Sequence, residues 1–177
     1  MSAGDVNEEA IIERMSATPG ALASLVGALA EADARWRPAD GGWSILEIVN
    51  HLADEETEDF RPRLESTLAD PARPWPGIDP EAAAWDRAYN DRDLAESVAR
   101  FASARDDSLA WLRSLDRPDW SAAHEHPRLG PIHAGDLLAS WAAHDALHLR
   151  QIAKRLFHMV GRDAGEYSTR YAGVWTA

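Results

Sequence analysis

The chain has 177 residues, 45% of them hydrophobic and 27% charged, which is typical of a globular protein that buries a core of its own. Its net charge of −12 argues against binding to phosphate backbones or anionic lipid surfaces, because both require clustered Lys and Arg. The sequence contains no cysteine, so disulfides, thiolate catalysis and sulfur-ligated metals are excluded, and a metal would be held by His, Asp or Glu.

The length suits a single domain, and we expect residues 1–177 to form one, with its core at about 18–160. No apolar run approaches the roughly eighteen residues that a membrane span needs. The N-terminus is acidic and polar, unlike a secretion signal. These features predict a cytoplasmic protein with neither nucleic acid nor membrane as a partner.

The first predicted helix begins at Thr18 and Pro19. Thr is a favoured N-cap, and Pro is favoured at the first helical position. Apolar residues then recur at intervals of three and four, at Leu22, Leu25, Val26 and Leu29. The pattern predicts a helix to about Arg35, preceded by a segment (5–15) that forms either a short helix or an arm.

The second predicted helix has a well-marked start. Ser44 and Glu47 have the spacing of a capping box, and an apolar series follows them. This start places His51 about two turns into the helix, at the edge of its apolar face. The helix is expected to continue to Leu68, bent or interrupted at Pro62.

A connector rich in Pro follows at 70–90. Its length of roughly twenty residues exceeds the two to eight that usually join antiparallel bundle helices. We therefore expect it either to cross the bundle or to cover a site. Asn90 or Asp91 then caps a third helix, whose helical period extends to about Asp116.

An irregular stretch, 117–132, precedes the fourth predicted helix, which runs from about Ala134 to His158 with Gly161 as its stop. No strand-like alternation competes with the helical patterns. The four helices together predict an all-α fold, a four-helix bundle.

Two histidines in the fourth helix carry the main functional signal. His144 and His148 are four residues apart, so they project from one face and can bind one metal ion. Trp141 and Ile152 share that face, which turns toward the other helices. The alternative is that both are buried polar residues hydrogen-bonded within the bundle. Burial of two unpartnered rings costs about 1 to 3 kcal/mol each, and a shared cation would satisfy both.

A catalytic metal usually takes three protein ligands, and His51 is the best candidate for the third. Glu55 follows one turn later on the same side. It is either a solvated surface residue or a catalytic group that orients an imidazole, ligates the metal, or accepts a proton. Gln151 follows His148 by three residues and can hydrogen-bond a neighbouring ligand, and Asp145 is expected to make interhelical contacts.

The remaining histidines have simpler interpretations. His124 and His126 lie in the irregular stretch and are either surface residues or part of a loop folded over the site. His133 precedes Asp136 by three residues and is expected to start the fourth helix. His158 falls in the last predicted turn, where a cation favours the helix dipole.

Taken together, Gly41-Gly42-Trp43-Ser44, the capped helix with His51 in it, and the His-x-x-x-His-x-x-Gln of the last helix resemble the DinB-like (YfiT-like) superfamily of metal-dependent bundle proteins. The resemblance covers roughly 19–160. It implies that His51, His144 and His148 bind a divalent metal, with water or substrate completing the coordination. It also implies an up-down-down-up bundle, whose parallel second and third helices need a long crossover, and commonly a homodimer.

Members of that family include thiol transferases that use bacillithiol or mycothiol, and a thiol-dependent maleylpyruvate isomerase. Three imidazoles and an open position suit Zn²⁺ best, with Ni²⁺, Fe²⁺ or Mn²⁺ as alternatives. Such an ion can lower the pKa of bound water to about 7, or bind an external low-molecular-weight thiol as thiolate. Because protonated imidazole cannot ligate, metal binding is expected to weaken between about pH 6 and 5.

The sequence therefore predicts a metal-dependent enzyme, of thiol-transferase or hydrolase type, that acts on a small molecule. One rival is a non-catalytic bundle that binds a metal or a small molecule through the same three histidines. The other is a helical interaction module whose histidines are only structural.

Overall fold

The computed structural model describes residues 6–39 and 41–176. Its helices are α1 (Glu8–Val26), α2 (Glu31–Ala34), α3 (Ile45–Asp54), α4 (Phe60–Ala69), α5 (Pro80–Asp86), α6 (Leu94–Ser114) and α7 (Ala134–Asp163). A π-helical turn, Glu55–Asp59, joins α3 to α4 and makes them one continuous helical segment. Short 3₁₀ helices lie at Tyr89–Asp91 and Arg170–Ala172.

Four helical segments form the bundle: α1, α3 with α4, α6, and α7. Both α1 and the α3–α4 segment pack between α6 and α7. One apolar cluster joins the C-terminal half of α1 to the starts of α3 and α6, and a second joins the N-terminal half of α1 to α4 and the start of α7. The second and third segments therefore run parallel, which confirms the predicted up-down-down-up bundle and its long crossover.

The predicted start of the first helix was wrong. α1 begins at Glu8, where Asn7 accepts a hydrogen bond from the Ala10 backbone N–H, and it passes through Pro19 without ending. Proline leaves the carbonyl four residues earlier without its helical donor. That carbonyl, of Met15, instead accepts a hydrogen bond of 3.1 Å from the Arg105 guanidinium. A contact from another helix thus compensates for the proline.

Other helix boundaries also differ from the predictions. The first helix ends at Val26, and α2 is a separate short helix before Arg35. α6 is capped by Asp93, three residues later in the chain than Asn90, and the Asp93 side chain accepts from the Glu96 backbone N–H. α7 continues past Gly161 to Asp163.

A β-hairpin was not predicted. β1 (Ala123–His126) pairs antiparallel with β2 (Gly130–His133), and Ala123 lies opposite His133. The strands are only four residues long and contain three histidines and a proline, so they lack the alternation of apolar residues that marks a strand. Gly130 has a φ of 75°, which favours glycine at the end of the connecting turn.

The described helices include none that is long and apolar enough to cross a membrane. Asp40, in the predicted turn before the second helix, lies outside the described residues.

Candidate metal centre

The bundle brings His51 of α3 to His144 and His148 of α7. Nε2 of His144 lies 3.3 Å from Nε2 of His51 and 3.0 Å from Nε2 of His148. One ligand atom from each ring can be chosen so that all three lie within 4.8 Å of one another. His51 and His144, which are 93 residues apart in the sequence, are therefore neighbours in the fold.

The start of α3 fixes the position of His51. Ser44 and Glu47 form the predicted capping box, in which the Ser44 hydroxyl accepts from the Glu47 backbone N–H and the Glu47 carboxylate accepts from the Ser44 backbone N–H. Arg37 donates two hydrogen bonds to Glu47, and the Ser44 hydroxyl donates to the Asn90 side chain at 2.6 Å. Because both capping residues are buried and bonded to other segments, the helix start is anchored on several sides.

In two of the three histidines, a neighbouring side chain contacts Nδ1 and orients the ring. His148 Nδ1 lies 2.8 Å from Oε1 of Gln151, as the sequence predicted. Because the amide oxygen only accepts, Nδ1 carries the proton and the lone pair is on Nε2, which faces His144. His51 Nδ1 lies 3.5 Å from a carboxylate oxygen of Glu55, which favours the same tautomer there.

Burial keeps these imidazoles neutral. Burial and, to a smaller extent, the neighbouring imidazoles together lower the pKa of His51 and His144 to about 3. Burial also lowers the pKa of His148, although its bond to Gln151 opposes the shift. Protons therefore compete for these nitrogens only at lower pH than the range of 6 to 5 expected from the sequence, because that range assumed imidazoles in water.

Aromatic rings enclose the three histidines. The indole of Trp43 is stacked on His148, with 6.5 Å between ring centroids, and lies 4.8 Å from His51. Phe60 lies 5.1 Å from His144 and stacks on Trp141 at 5.8 Å. These contacts limit access of water from two sides.

Glu55 is buried beside His51, so it is not a solvated surface residue. Burial raises its pKa, and the adjacent Asp59 carboxyl raises it further because two like charges oppose one another. Asp59 also has a raised pKa through burial, but its ion pair with Arg63, at 2.5 Å, opposes that shift. The pair therefore favours a proton on Glu55 and a charge on Asp59.

A second set of polar groups lies on the outer side of Asp54. Its carboxylate accepts hydrogen bonds from Tyr89, Arg87 and Arg100. Burial opposes ionisation of Asp54, yet these donors together lower its pKa. Arg87 also donates two hydrogen bonds to Glu58. This network fixes the far side of the π-helical turn that carries Glu55.

A buried ionic cluster lies behind the histidines. The guanidinium of Arg105, with no exposed surface, donates to both carboxylate oxygens of Asp145 at 2.5 and 2.8 Å and to Glu56 at 2.6 Å. Thr18 also donates to Asp145, and Trp141 Nε1 donates to Glu56. Asp145 and Glu56 are the chain neighbours of His144 and Glu55, so the cluster fixes the backbone on both sides of the site.

Arg105 was not predicted as a functional residue from the sequence. Its signal was a charged residue within an apolar stripe, since Phe101 precedes it by four residues and Leu109 follows it by four. The expected interhelical role of Asp145 is consistent with its bonds to α1 and α6.

The other histidines lie away from this point. His124 is buried in the hairpin, where its ring stacks on Trp75 at 4.0 Å and Nδ1 lies 3.0 Å from the Pro71 carbonyl. Asp136 accepts from the His133 backbone N–H, so His133 starts α7 as expected. His158 is not in the last turn, because α7 continues for five more residues, to Asp163.

A cavity of about 260 Å³ opens beside His51. Its walls come from the π-helical turn, from α5 and from the crossover residues before α5. Glu55 and Asp59 line it on the buried side, and Tyr89 lines it near Asp54. The crossover therefore both connects parallel segments and covers the site, two roles that the sequence left as alternatives.

Comparisons with known proteins agree with this fold. The family model described as the DinB superfamily matches residues 14–152. Among solved structures, YfiT from Bacillus subtilis, described as a probable metal-dependent hydrolase with an unusual four-helix bundle topology, is 21% identical, with a TM-score of 0.79 over 89% of this chain and 90% of that one. The four-helix bundle protein TT2238 is 20% identical, with a TM-score of 0.59 over 84% of this chain and 99% of that one. The comparison with curated proteins finds no match.

Proposed function

This chain belongs to the DinB superfamily, and we propose that it is a metal-dependent hydrolase that acts on a small molecule. His51, His144 and His148 would hold a divalent ion, and substrate would enter through the cavity beside His51. The observation that carries the proposal is the convergence of three buried or half-buried imidazole nitrogens, two pairs of which are 3.0 and 3.3 Å apart.

The three residues fit a metal ion. A tetrahedral ion with Zn–N bonds of about 2.0 to 2.1 Å separates its ligand atoms by about 3.3 Å, close to the distances between these nitrogens. Lone pairs at such short distances repel one another unless a cation or a proton lies between them. The lowered pKa values of His51 and His144 disfavour a second proton on either ring. The single Nε2–H of a neutral His144 could lie between only one pair of rings, whereas a metal cation would satisfy all three.

Three neutral imidazoles suit Zn²⁺ best, and Ni²⁺, Fe²⁺ or Mn²⁺ are alternatives. When bound, such an ion supplies Lewis acidity to a water molecule, a thiol or a carbonyl oxygen. The protein contributes the rest: Trp43 and Phe60 exclude bulk water, and Gln151 holds His148 in the tautomer whose Nε2 faces the site.

We assign Glu55 as the general base or acid. Its carboxyl lies 3.5 Å from His51 and lines the cavity, so it can reach a molecule bound there. Its raised pKa favours the protonated form, which can donate a proton to a leaving group, and the carboxylate that remains can then accept a proton from a water molecule or a thiol. YfiT's description as a probable metal-dependent hydrolase supports hydrolysis as the reaction.

Thiol transfer is the second candidate. The same base could remove the S–H proton of an external low-molecular-weight thiol, and the thiol would come from outside because the chain contains no cysteine. The volume of the cavity suits a small molecule in either reaction. A non-catalytic binding bundle, the homodimer and the cytoplasmic location stay predictions.

The metal content of the purified protein tests the proposal directly. The protein is purified without chelators, loaded with Zn²⁺, desalted and analysed for metal per chain. We expect about one ion for the wild type and for His158→Gln, whose histidine lies outside the site. His51→Gln, His144→Gln and His148→Gln should each lose at least about ten times in affinity, because two ligands bind more weakly than three.

Near-stoichiometric metal in all three site variants would show that the histidines are structural. Hydrolysis of a panel of small esters and amides then separates an enzyme from a binding protein. Glu55→Gln should keep the metal and lose about 10² to 10⁴ in rate if the carboxyl transfers the proton.

A further inference from the structure

The cavity beside His51 is much more acidic than the chain as a whole. Six of its fourteen lining residues are Asp or Glu, whereas the chain has 30 in 177. The net charge of the protein therefore does not explain the acidity of this cavity. The six are Asp54, Glu55, Glu58, Asp59, Asp79 and Asp86.

The cationic groups near the cavity do not balance these carboxylates. Arg87 is the one Arg or Lys among the residues that line it. Arg63 and Arg100 reach Asp59 and Asp54 from outside the cavity. Six carboxyl groups against three guanidinium groups leave a formal charge of −3 when all are ionised, and of −2 when Glu55 is protonated.

Two buried groups point to a ligand at the inner end. The side chain of His51, 6% exposed, lines the cavity, and its Nε2 has another imidazole nitrogen as its hydrogen-bonding neighbour. Glu55, 7% exposed, also lines the cavity, and no Arg or Lys in the described part of the chain forms an ion pair with it. The inner end thus combines one candidate metal ligand, His51, with a buried acid whose contacts are that imidazole and the Asp59 carboxyl.

We propose that the substrate is a small organic cation, whose positive group lies among these carboxylates while its reacting end faces the three histidines. The inference rests on the proposed metal-dependent function and names its substrate class. Low-dielectric walls strengthen the field of the carboxylates in the cavity, so a cation gains there and an anion is repelled. Ile78, Pro80 and the ring of Tyr89 supply apolar surface for the carbon skeleton.

The experiment uses two thiols of the same shape as probes of the Co²⁺-loaded protein. Thiocholine carries a trimethylammonium group, and 3,3-dimethylbutane-1-thiol has a neutral tert-butyl group in its place. The sulfur of each gives a charge-transfer absorption when it binds Co²⁺, so titration yields both Kd values. A quaternary ammonium group cannot ligate the metal, so the sulfur is the group that binds Co²⁺. The two thiols differ in acidity, but this difference cancels when the ratio of their Kd values is compared between proteins.

The test variant is Asp79→Asn/Asp86→Asn, which removes two charges from the outer part of the cavity. Asn caps a helix as well as Asp does, so the start of α5 is preserved. The matched control is Asp106→Asn/Asp107→Asn, which makes the same change in net charge at exposed positions of α6 outside the cavity.

We expect the preference for thiocholine to fall about three- to tenfold in the cavity variant and to stay unchanged in the control. In the wild type, added salt should weaken thiocholine binding and leave the neutral thiol unaffected. An equal ratio in all three proteins, or an equal fall in both variants, would overturn the inference. A wild type that shows no Co²⁺ absorption before any thiol is added would instead overturn the metal centre, and the substrate class with it.

Discussion

Arg105 shows how one buried charge can organise the bundle. It donates to the Met15 carbonyl of α1, to Glu56 of the π-helical turn and to Asp145 of α7. Burial alone would make it easier to deprotonate, but its two carboxylate partners outweigh that effect and raise its pKa. The guanidinium therefore stays charged in the core and connects the three other segments of the bundle.

Replacing Arg105 should be strongly destabilising, since Asp145 and Glu56 would remain buried without a cation. For Arg105→Met we expect a loss of about 3 to 5 kcal/mol in the free energy of unfolding. Urea unfolding of the metal-free protein measures the loss. Arg113→Met, at an exposed position of the same helix, should stay within about 0.5 kcal/mol of the wild type. A loss below about 1 kcal/mol for Arg105→Met would mean that the cluster contributes little.

At the scale of elements, the π-helical turn directs two adjacent buried acids, Glu55 and Glu56, to different partners. In an α-helix, residues i and i+1 differ by about 100° in direction, so an apolar face seldom includes both. Here the Phe60 backbone N–H bonds to the Glu55 carbonyl, five residues earlier, which widens the turn by one residue. Glu55 then faces the cavity and Glu56 faces Arg105. Pro62 lies just beyond this turn. The bend or interruption of the helix that was expected at Pro62 therefore begins before that residue, in the π-helical turn.

The start of α3 is the element that positions His51, and its cap can be tested separately. Ser44→Ala removes the acceptor for the Glu47 backbone N–H and the donor to Asn90. We expect a loss of about 1 to 3 kcal/mol in the free energy of unfolding, together with weaker metal binding because the helix start loosens. Thermal unfolding and a Zn²⁺ titration provide the two measurements.

The matched control for the cap is Ser24→Ala. Ser24 is exposed within α1 and donates a hydrogen bond to the Gly20 carbonyl of its own helix. Its replacement should change the stability by no more than about 0.5 kcal/mol. If Ser44→Ala is equally mild, other contacts of α3 are sufficient to hold His51.

At the scale of the whole molecule, buried titratable groups of opposite kinds set the pH dependence of stability. Unfolded imidazoles bind protons below about pH 6.5, whereas His51 and His144, with pKa values of about 3, stay neutral in the folded protein. The unfolded state therefore binds more protons, and stability is lost as the pH falls from about 6.5 toward 3. Glu55 has the opposite effect: its raised pKa makes the folded state bind more protons, so stability is lost as the pH rises above about 4.5.

We therefore expect the metal-free protein to have its highest Tm near pH 6.5. Below that pH, protonation of the three imidazoles in the unfolded state should lower the stability more than the proton shared by Glu55 and Asp59 raises it. Above that pH, the loss of the Glu55 proton should dominate the change in stability. Circular dichroism melts between pH 5 and 9 in the presence of a chelator give the curve. Glu55→Gln should flatten the alkaline side and leave the acid side in place. A Tm that continues to rise down to pH 5 would contradict the burial of neutral imidazoles.

The sequence alone determined the helical segments, the capped start of α3, the long crossover and the three histidines. These features depend on local spacing: apolar residues at three and four, Ser44 three residues before Glu47, and His144 four residues before His148. Local spacing is visible in a sequence because neighbouring residues on a helix face the same way whatever the rest of the fold does.

Only the tertiary structure decided how those parts meet. The helix continues through Pro19 because Arg105, 86 positions later, satisfies the carbonyl that the proline leaves free, and no local pattern could show this. The hairpin, the buried state of Glu55 and the acidic cavity likewise depend on contacts between distant segments. A donor, a charge or a ring nitrogen acquires its role from the groups that folding brings within a few ångströms of it, and their sequence separation carries no information about that distance.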